Sequence, residues 1–266
     1  MSNGDVHEHY KEVAADYDKH WNYRPGYVEW MSARLTEALS LSTTDRMADV
    51  GCGTGLFARE IARTVKPEQP ILCIDPSRAM LHAMGDPPPS GLTPIPALAE
   101  DIAEAPTALP YEELDAVWLK ESVHHLADPG RTLAGLARRL SPGGRLLVVM
   151  LPKTIEYPLF ASALRHFEEL QPDPKDIADH LTAAGLDTRI THVQHELRIG
   201  RDRYLEMVRG RYMSLLSDFD DTALEAGIEE MRAAHPEEEL AFPDRFAFII
   251  GVRRNAHVTA ARGCAT

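Results

Sequence analysis

Three glycines alternate with other residues between an apolar run and a segment of helical periodicity. They are Gly51, Gly53 and Gly55, and Asp49 precedes them. Glycine permits a tight turn at such a junction and lets a ligand approach the backbone, because no Cβ stands in the way. The pattern predicts a loop that binds a nucleotide-like ligand.

The spacing of these residues distinguishes between kinds of ligand. The dinucleotide fingerprint G-x-G-x-x-G needs a glycine where Leu56 stands, and the Gly-Lys-Ser/Thr of the Walker pattern does not follow. Carboxylates beside the loop favour a cationic group over a pyrophosphate. Asp75 ends the next apolar run, where a carboxylate can accept hydrogen bonds from two ribose hydroxyls. The spacing therefore disfavours a dinucleotide site and a Walker-type site.

The segment from Asp49 to Gly55, with the pattern D-x-G-x-G-x-G, closely resembles motif I of class I S-adenosylmethionine-dependent methyltransferases. Residues 114–126 (LDAVWLKESVHHL) are similar to the fourth-strand motif of this family, and residues 141–150 (SPGGRLLVVM) to its fifth-strand motif. The ammonium and sulfonium groups of the cofactor suit acidic surroundings. The resemblance implies S-adenosyl-L-methionine as cofactor and S-adenosyl-L-homocysteine as product.

The resemblance also implies individual cofactor contacts. Asp101-Ile102 is similar to the pair that binds adenine, Met80 would cover the other face of the ring, and Tyr10 and Tyr17 match an entry motif near the methionine end. Core packing would place these two tyrosines on one helical face equally well. The cofactor-binding residues predicted are Tyr10, Tyr17, Asp49, Gly51, Cys52, Gly53, Gly55, Asp75, Pro76, Met80, Asp101, Ile102 and Lys120.

Candidate catalytic residues follow the fourth strand. Methyl transfer from a sulfonium is an in-line displacement, so a protein mainly supplies alignment, with a base where the nucleophile must lose a proton. Open α/β sheets bind ligands at the carboxyl ends of their strands, and histidine titrates near neutrality. His124 and His125 are therefore the predicted bases, with Glu121 third. Alternatively, the histidine pair only shapes the site.

An arginine-rich segment covers residues 198–212 (RIGRDRYLEMVRGRY) in an otherwise acidic chain. A guanidinium pairs bidentately with carboxylates and phosphates, so Arg211 is a candidate for binding an anionic acceptor, together with Tyr212 and Tyr23. A solvated helix face balanced by nearby acids is the alternative. The twelve histidines form no cluster with metal-ligand spacing, and no metal is predicted.

Short apolar runs alternate with helical segments along the chain. This alternation predicts an α/β fold, with a Rossmann-like seven-stranded mostly parallel sheet and helices on both faces. An N-terminal helical lid is expected over 1–40, a cofactor-binding core over 41–152, the rest of the sheet with a helical substrate cap over 153–252, and a tail over 253–266. The later strands are predicted at 94–99, 114–119, 144–151, 186–199 and 245–252, and the predicted helices include 56–65, 157–170 and 201–217.

Composition limits the partners. The 266 residues favour one large domain or one domain with a cap, and a net charge of −13 argues against nucleic acid and anionic membrane as partners. The sequence shows no signal peptide and no apolar run that could span a bilayer, and its three cysteines form no paired framework. A cytoplasmic protein with a small-molecule acceptor is expected, and the oligomeric state stays open.

The predicted function is methylation of an O, N or C atom of a small metabolite, and the family resemblance suggests specialised metabolism. A protein of the same fold that uses the cofactor structurally, as a cyclase or a regulatory module, is the alternative. Leu56 disfavours a nicotinamide-dependent dehydrogenase. Nucleic-acid and protein methylation are disfavoured because residues 120–123 (KESV) stand where an Asn/Asp-Pro-Pro-aromatic motif would lie.

Overall fold

The computed structural model describes residues 26–104 and 109–255, in which strands and helices alternate. The strands are β1 (Met47–Val50), β2 (Ile71–Ile74), β3 (Leu92–Ile95), β4 (Leu114–Lys120), β5 (Leu140–Met150), β6 (Leu186–Gly200) and β7 (Glu239–Arg253). They form one seven-stranded sheet in the order β3-β2-β1-β4-β5-β7-β6. The first five strands are parallel, and β7 is antiparallel to both β5 and β6. The predicted mostly parallel α/β sheet is confirmed.

Helices connect these strands and cover both faces of the sheet. They are α1 (Tyr27–Leu39), α2 (Leu56–Val65), α3 (Arg78–Ala83), α4 (Ala99–Glu104), α5 (Pro129–Arg138), α6 (Ala161–Leu170), α7 (Pro174–Ala183), α8 (Arg201–Arg209) and α9 (Asp221–Ala234). Tyr10, Tyr17 and Tyr23, together with most of the predicted lid, lie outside the described residues.

Two apolar layers bury the sheet. Every residue of β1 and β2 is buried, as parallel strands covered on both faces require. Successive side chains of β4 alternate between the layers: Trp118 packs in the layer that contains α1, α2 and α8, whereas Val117 and Leu119 pack in the layer that contains α5 and α7.

The last two strands extend beyond the rest of the sheet. Residues Leu186–Gly200 pair with Arg253–Glu239 along their whole length, whereas β5 pairs with β7 only up to the Met150–Ala247 pair. The outer halves of these strands, residues 193–200 and 239–246, therefore project past the carboxyl ends of the parallel strands. We call this two-stranded extension the β arm.

Several predicted boundaries were wrong. Strand β7 begins at Glu239 rather than at 245, because in the β arm it pairs with β6 alone and can accommodate Pro243. Strand β3 ends at Ile95, and the helix α4 starts where a strand to 99 was predicted. The predicted helix at 157–170 starts at Ala161, and the one at 201–217 ends at Arg209, before Gly210.

No helix within 26–104 and 109–255 is long and apolar enough to cross a membrane. Two of the three cysteines lie in these ranges, and both Cys52 and Cys73 are free thiols.

Candidate active site

A cavity opens at the carboxyl ends of the parallel strands, where the loops after β1, β2 and β4 meet the segment before α4. Ten residues that the sequence singled out line it: Asp49, Gly51, Cys52, Gly53, Asp75, Pro76, Met80, Lys120, Glu121 and His125. The topology of the sheet brings these positions together, since carboxyl ends of parallel strands share one edge.

The glycine turn after β1 is shaped by two close contacts. Gly51 and Gly55 both have a positive φ, +75° and +71°. A Cβ on Gly51 would lie 2.4 Å from the Cβ of Ser122, and one on Gly55 would lie 2.6 Å from the Cε of Met84. Ser122 in turn donates a hydrogen bond from its hydroxyl to the carbonyl of Val50, at 2.9 Å. The loops after β1 and β4 are thus packed directly on each other, and only glycine fits at these positions.

Asp75 connects the glycine turn to the end of β2. Its carboxylate accepts hydrogen bonds from the backbone N–H of Gly53, at 2.9 Å, and of Ser77, at 2.8 Å. The side chain is thereby fixed at the cavity wall, where it was predicted to bind ribose hydroxyls.

Asp49 is a buried acid at the base of the cavity. Burial raises its pKa to about 7, the nearby indole N–H of Trp118 lowers it, and the charges of Asp75 and Lys120 act in opposite directions. A cation placed in the cavity would favour the ionised form of this carboxylate. A positively charged group is therefore expected to bind favourably beside Asp49.

These features fit S-adenosylmethionine. The glycine turn gives close access to the backbone, Asp49 suits the cationic methionine end, and Asp75 suits the ribose. Met80, Pro76 and Leu98 supply apolar surface for a planar ring.

The predicted adenine pair does not lie at the cavity. Asp101 is exposed in the first turn of α4, and its carboxylate accepts a hydrogen bond from the N–H of Leu98 at 3.3 Å. Ile102 is 4% exposed and packs in the layer beneath the sheet. Because the helix begins at Ala99, the residues that line this wall are Ala97, Leu98, Ala99 and Glu100 instead.

Glu121 follows β4 in a strained backbone conformation, with a φ of +53°. One of its carboxylate oxygens, Oε1, accepts a hydrogen bond from the N–H of Leu151 at 2.8 Å. Burial raises the pKa of Glu121 to about 7, Lys120 opposes this shift, and Asp244 adds to it. A carboxyl with this pKa is well matched to proton transfer near neutral pH.

The two predicted histidine bases lie in different surroundings. His125 lines the cavity and His124 does not, although their rings are 4.1 Å apart. Burial, and then the charges of His125 and Lys120, lower the pKa of His124 to about 3. Its Nδ1 is buried and has no hydrogen-bond partner in the part of the chain that the structure describes. His124 is thus a weak base beside the site.

Lys120 is nearly buried, and its ammonium lies against two aromatic rings. The Nζ atom is 4.8 Å from the ring centroid of Phe57 and 5.7 Å from that of Phe246. The described residues that line the cavity also include four acids, namely Asp49, Asp75, Glu100 and Glu121. The formal charge of this lining is therefore negative.

The arginine-rich segment does not reach the cavity. Arg211 donates to a carboxylate oxygen of Asp221 at 2.8 Å and to the carbonyl of Phe219 at 3.2 Å, and Arg209 forms an ion pair with Glu225. These contacts tie α8 to the start of α9, so the acids of the next helix take up the guanidinium groups. The hydroxyl of Tyr212 lies 2.9 Å from that of Tyr204, away from the residues lining the cavity. Neither Arg211 nor Tyr212, the predicted acceptor contacts, is among the residues that line this cavity.

Sequence reasoning missed Asp244, which is 0% exposed and accepts a hydrogen bond from the hydroxyl of Tyr157. Extending the alternation of β7 through Pro243 would have placed it on the buried face with Phe242 and Phe246. Within 26–104 and 109–255, no three His, Cys, Asp or Glu side chains are grouped so that they could hold a metal ion.

Comparisons with known proteins agree with this geometry. Residues 48–148 match the family model described as a methyltransferase domain. Methyltransferase GfsG of Streptomyces halstedii is 35% identical over 123 residues, covering 45% of this chain and 42% of that protein. The 27-O-demethylrifamycin SV methyltransferase of Amycolatopsis mediterranei is 30% identical over 133 residues, covering 48% and 47%. The chain therefore spans less than half the length of these two relatives.

A solved structure shares the fold at lower identity. The [4+2]-cyclase SpnF superposes with a TM-score of 0.54 and 19% identity, covering 85% of this chain and 80% of that one. At this identity the likeness shows the fold alone. The matched family model, the glycine turn and the acids at the cavity lead to one assignment. The chain contains a methyltransferase domain, matched over residues 48–148, whose cavity fits S-adenosylmethionine as cofactor.

Proposed function

We propose that this protein transfers the methyl group of S-adenosylmethionine to an O or N nucleophile, or an acidic carbon, of a small metabolite. One observation carries the proposal: an acid-flanked glycine turn and two candidate bases, Glu121 and His125, line the same cavity. The resemblance to a relative named as a 27-O-demethylrifamycin SV methyltransferase supports a small-molecule acceptor in specialised metabolism.

In this proposal the cofactor is held by residues already at the cavity wall. Asp75 binds the ribose, Asp49 faces the cationic end, and Met80 with Leu98 packs on the adenine. When bound, S-adenosylmethionine supplies an electrophilic methyl carbon whose bond to sulfur breaks with both electrons staying on sulfur. The chain itself aligns the acceptor, excludes water and removes a proton.

Glu121 or His125 takes that proton. Each lines the cavity on its β4 side, and the pKa of Glu121 lies near neutrality. His124 is less suited, because its lowered pKa makes it a weak base. A general base typically contributes about 10²–10⁴-fold to a rate, so loss of the correct one should be easy to detect.

The charge of the cavity supports a neutral or cationic acceptor. The described residues that line the cavity include four acids and one lysine. Arg198, Arg209 and Arg211 form ion pairs with acids that do not line the cavity. A carboxylate or phosphate on the acceptor would meet like charges there.

We also propose that residues 1–40 act as a lid and that the helices within 153–252 cap the acceptor side.

Product analysis tests the proposal. The protein is incubated with S-adenosylmethionine and a panel of phenols, alcohols and amines, and S-adenosylhomocysteine is quantified. Formation in proportion to acceptor consumed would support transfer. If an authentic acceptor is converted without S-adenosylhomocysteine, the cofactor serves structurally, which is the alternative function.

A further inference from the structure

The pairing of β4 with β5 ends in an irregular way at Glu121. The N–H of Glu121 donates to the carbonyl of Val149 at 2.8 Å, as the parallel ladder of these strands requires. A regular ladder would continue with the N–H of Leu151 donating to the backbone carbonyl of Glu121. Because the chain leaves the strand here, at a φ of +53°, the carboxylate oxygen Oε1 accepts that N–H instead, at 2.8 Å. The Glu121 side chain therefore takes the place of its own carbonyl at the end of the ladder.

Leu151 is held on its other side by Gln171. The side-chain amide of Gln171, which follows α6, donates from Nε2 to the carbonyl of Leu151 at 2.7 Å. Pro152 follows Leu151 and restricts the backbone of Leu151 to extended conformations. Two hydrogen bonds in series thus connect the end of α6 to the carboxyl group that lines the cavity.

Burial keeps this connection intact. Gln171 is 8% exposed and Leu151 is 5% exposed. A buried amide or carbonyl that loses its partner is left without water to replace it, so separating the two groups costs free energy. A non-glycine residue at a positive φ, such as Glu121, persists only where its surroundings fix it. The hydrogen bonds from Gln171 through Leu151 supply such surroundings.

We propose that Gln171 is a positioning residue for methyl transfer: through Leu151 it holds the Glu121 carboxylate so that the oxygen Oε2 takes the proton of a neutral hydroxyl or amine. The inference rests on the proposed function, with Glu121 as the base. The nucleophile gives its proton to Oε2 while its lone pair bonds to the methyl carbon, and the electrons of the broken carbon–sulfur bond stay on sulfur. Glu121 afterwards releases the proton to solvent.

The first test follows the hydrogen bond between Leu151 and Glu121 in the full chain, without cofactor or acceptor. The chain is labelled with ¹⁵N-leucine and titrated by NMR, and the Leu151→Met variant, which lacks one leucine, identifies the signal. The Leu151 amide signal should move as Glu121 ionises, near pH 7, and this movement should vanish in the Glu121→Gln variant.

The Gln171→Met variant keeps the length of the side chain and loses the donor. The movement of the Leu151 signal should shrink by at least about half, because a hydrogen bond weakens steeply once its geometry is lost. Its midpoint should rise by about one pH unit, because a weaker N–H donor disfavours the ionised carboxylate. The ionisable groups Lys120, from β4, and Asp244, from β7, also act on the pKa of Glu121 and are unchanged in this variant.

The matched control loosens the same helix at its other end. Glu230→Ala removes the carboxylate that accepts the N–H of Ala161, at 2.8 Å, where α6 begins. This variant should leave the Leu151 titration unchanged, whereas a general loosening of α6 would alter it.

A second variant guards against a fold that does not tolerate methionine. Gln171→Asn keeps an amide but is one methylene too short to reach Leu151, and it should give the same changes. An unaltered Leu151 titration in either variant that folds would overturn the inference, and so would an equal change in Glu230→Ala.

Kinetics with an authentic acceptor give an independent readout. Gln171→Met should lower kcat at least about tenfold and leave the KM for S-adenosylmethionine within about twofold, because it misplaces the base and not the cofactor. An unchanged kcat would also overturn the inference. Failure of the proposed function would appear differently, as the NMR changes without any S-adenosylhomocysteine formed from acceptors.

Discussion

At the scale of single residues, the ionisation of the Asp49 carboxyl is expected to respond to binding of the cofactor. Its pKa of about 7 means that it is partly protonated near neutrality, and a bound cation should drive it to the charged form. Affinity for S-adenosylmethionine should therefore rise several-fold between pH 6 and pH 7.5. The Asp49→Asn variant should bind at least about tenfold more weakly at pH 7.5, since a charged hydrogen bond contributes about 1.5–3 kcal/mol. Titration calorimetry at the two pH values measures both effects.

The stability of the same variant separates lost binding from unfolding. The folded-state pKa of Asp49 is raised above its ordinary value of 3.8, so its contribution to stability is fully present below that value and is lost as the pH rises through about 7. Asparagine cannot ionise, and Asp49→Asn should thus melt no lower than the parent at pH 8 without cofactor. An unaltered cofactor affinity in this variant would exclude Asp49 from the binding site.

Gly51 allows a prediction about backbone and packing together. Gly51→Ala places a non-glycine residue at a φ of +75°, and this backbone strain should cost about 1–2 kcal/mol. The new Cβ would also lie 2.4 Å from the Ser122 Cβ, and this overlap should cost about 1–3 kcal/mol more. The free energy of unfolding should fall by the sum, and cofactor affinity should fall with it because the two loops separate. Denaturant unfolding and calorimetry give the two quantities.

Gly185 supplies the matched control. Its φ is +86°, and a Cβ there would meet nothing within 4 Å. Gly185→Ala should cost only the backbone part and leave cofactor affinity unchanged. Equal losses of stability in the two variants would show that the loop after β4 yields to the added methyl group.

At the scale of elements, the sequence predicted the parallel half of the sheet well and the acceptor side poorly. The helix α2 was predicted at its observed limits, because strand, glycine turn and apolar periodicity are all local signals. Position 101 was misjudged, since the end of β3 depends on pairing with β2 over only four residues. The burial of Asp244 depends on the long pairing of β6 with β7, which joins residues far apart in the chain.

Helix α9 offers a prediction at this scale. Gly227 lies within α9, where alanine is normally the better helix former by about 1 kcal/mol. A Cβ there would lie 2.5 Å from the Phe160 ring, and this overlap should cost about 1–3 kcal/mol. Gly227→Ala should therefore destabilise the chain, by that cost minus the gain in helix preference. Denaturant unfolding measures the change.

Shortening the neighbour should reverse the sign. In a chain that already carries Phe160→Leu, adding Gly227→Ala should raise the free energy of unfolding, because the overlap is relieved and the helix preference is expressed. If alanine destabilises both backgrounds alike, α9 does not pack on Phe160 as closely as the structure shows.

At the scale of the whole molecule, charge is arranged so that the cations are largely neutralised outside the cavity. Arg46 pairs with Asp115 and Arg145 with Asp45 beside the sheet, and Arg209 of α8 pairs with Glu225 of α9. The cavity keeps an excess of acids, with Lys120 as the lysine among its described lining residues. The excess of acids among the lining residues thus lies where a cationic cofactor would bind.

Because the cavity is built from loops after β1, β2 and β4, its ligand should stabilise the whole domain. A ligand at about 100 times its Kd adds about 2.7 kcal/mol to the free energy of unfolding, which in a chain of this size raises Tm by about 5–10 °C. S-adenosylmethionine and S-adenosylhomocysteine should both do so in a thermal melt, and NAD should not, because Leu56 replaces the glycine of the dinucleotide turn. Stabilisation by NAD, with none by S-adenosylmethionine, would show that the glycine turn binds a dinucleotide after all.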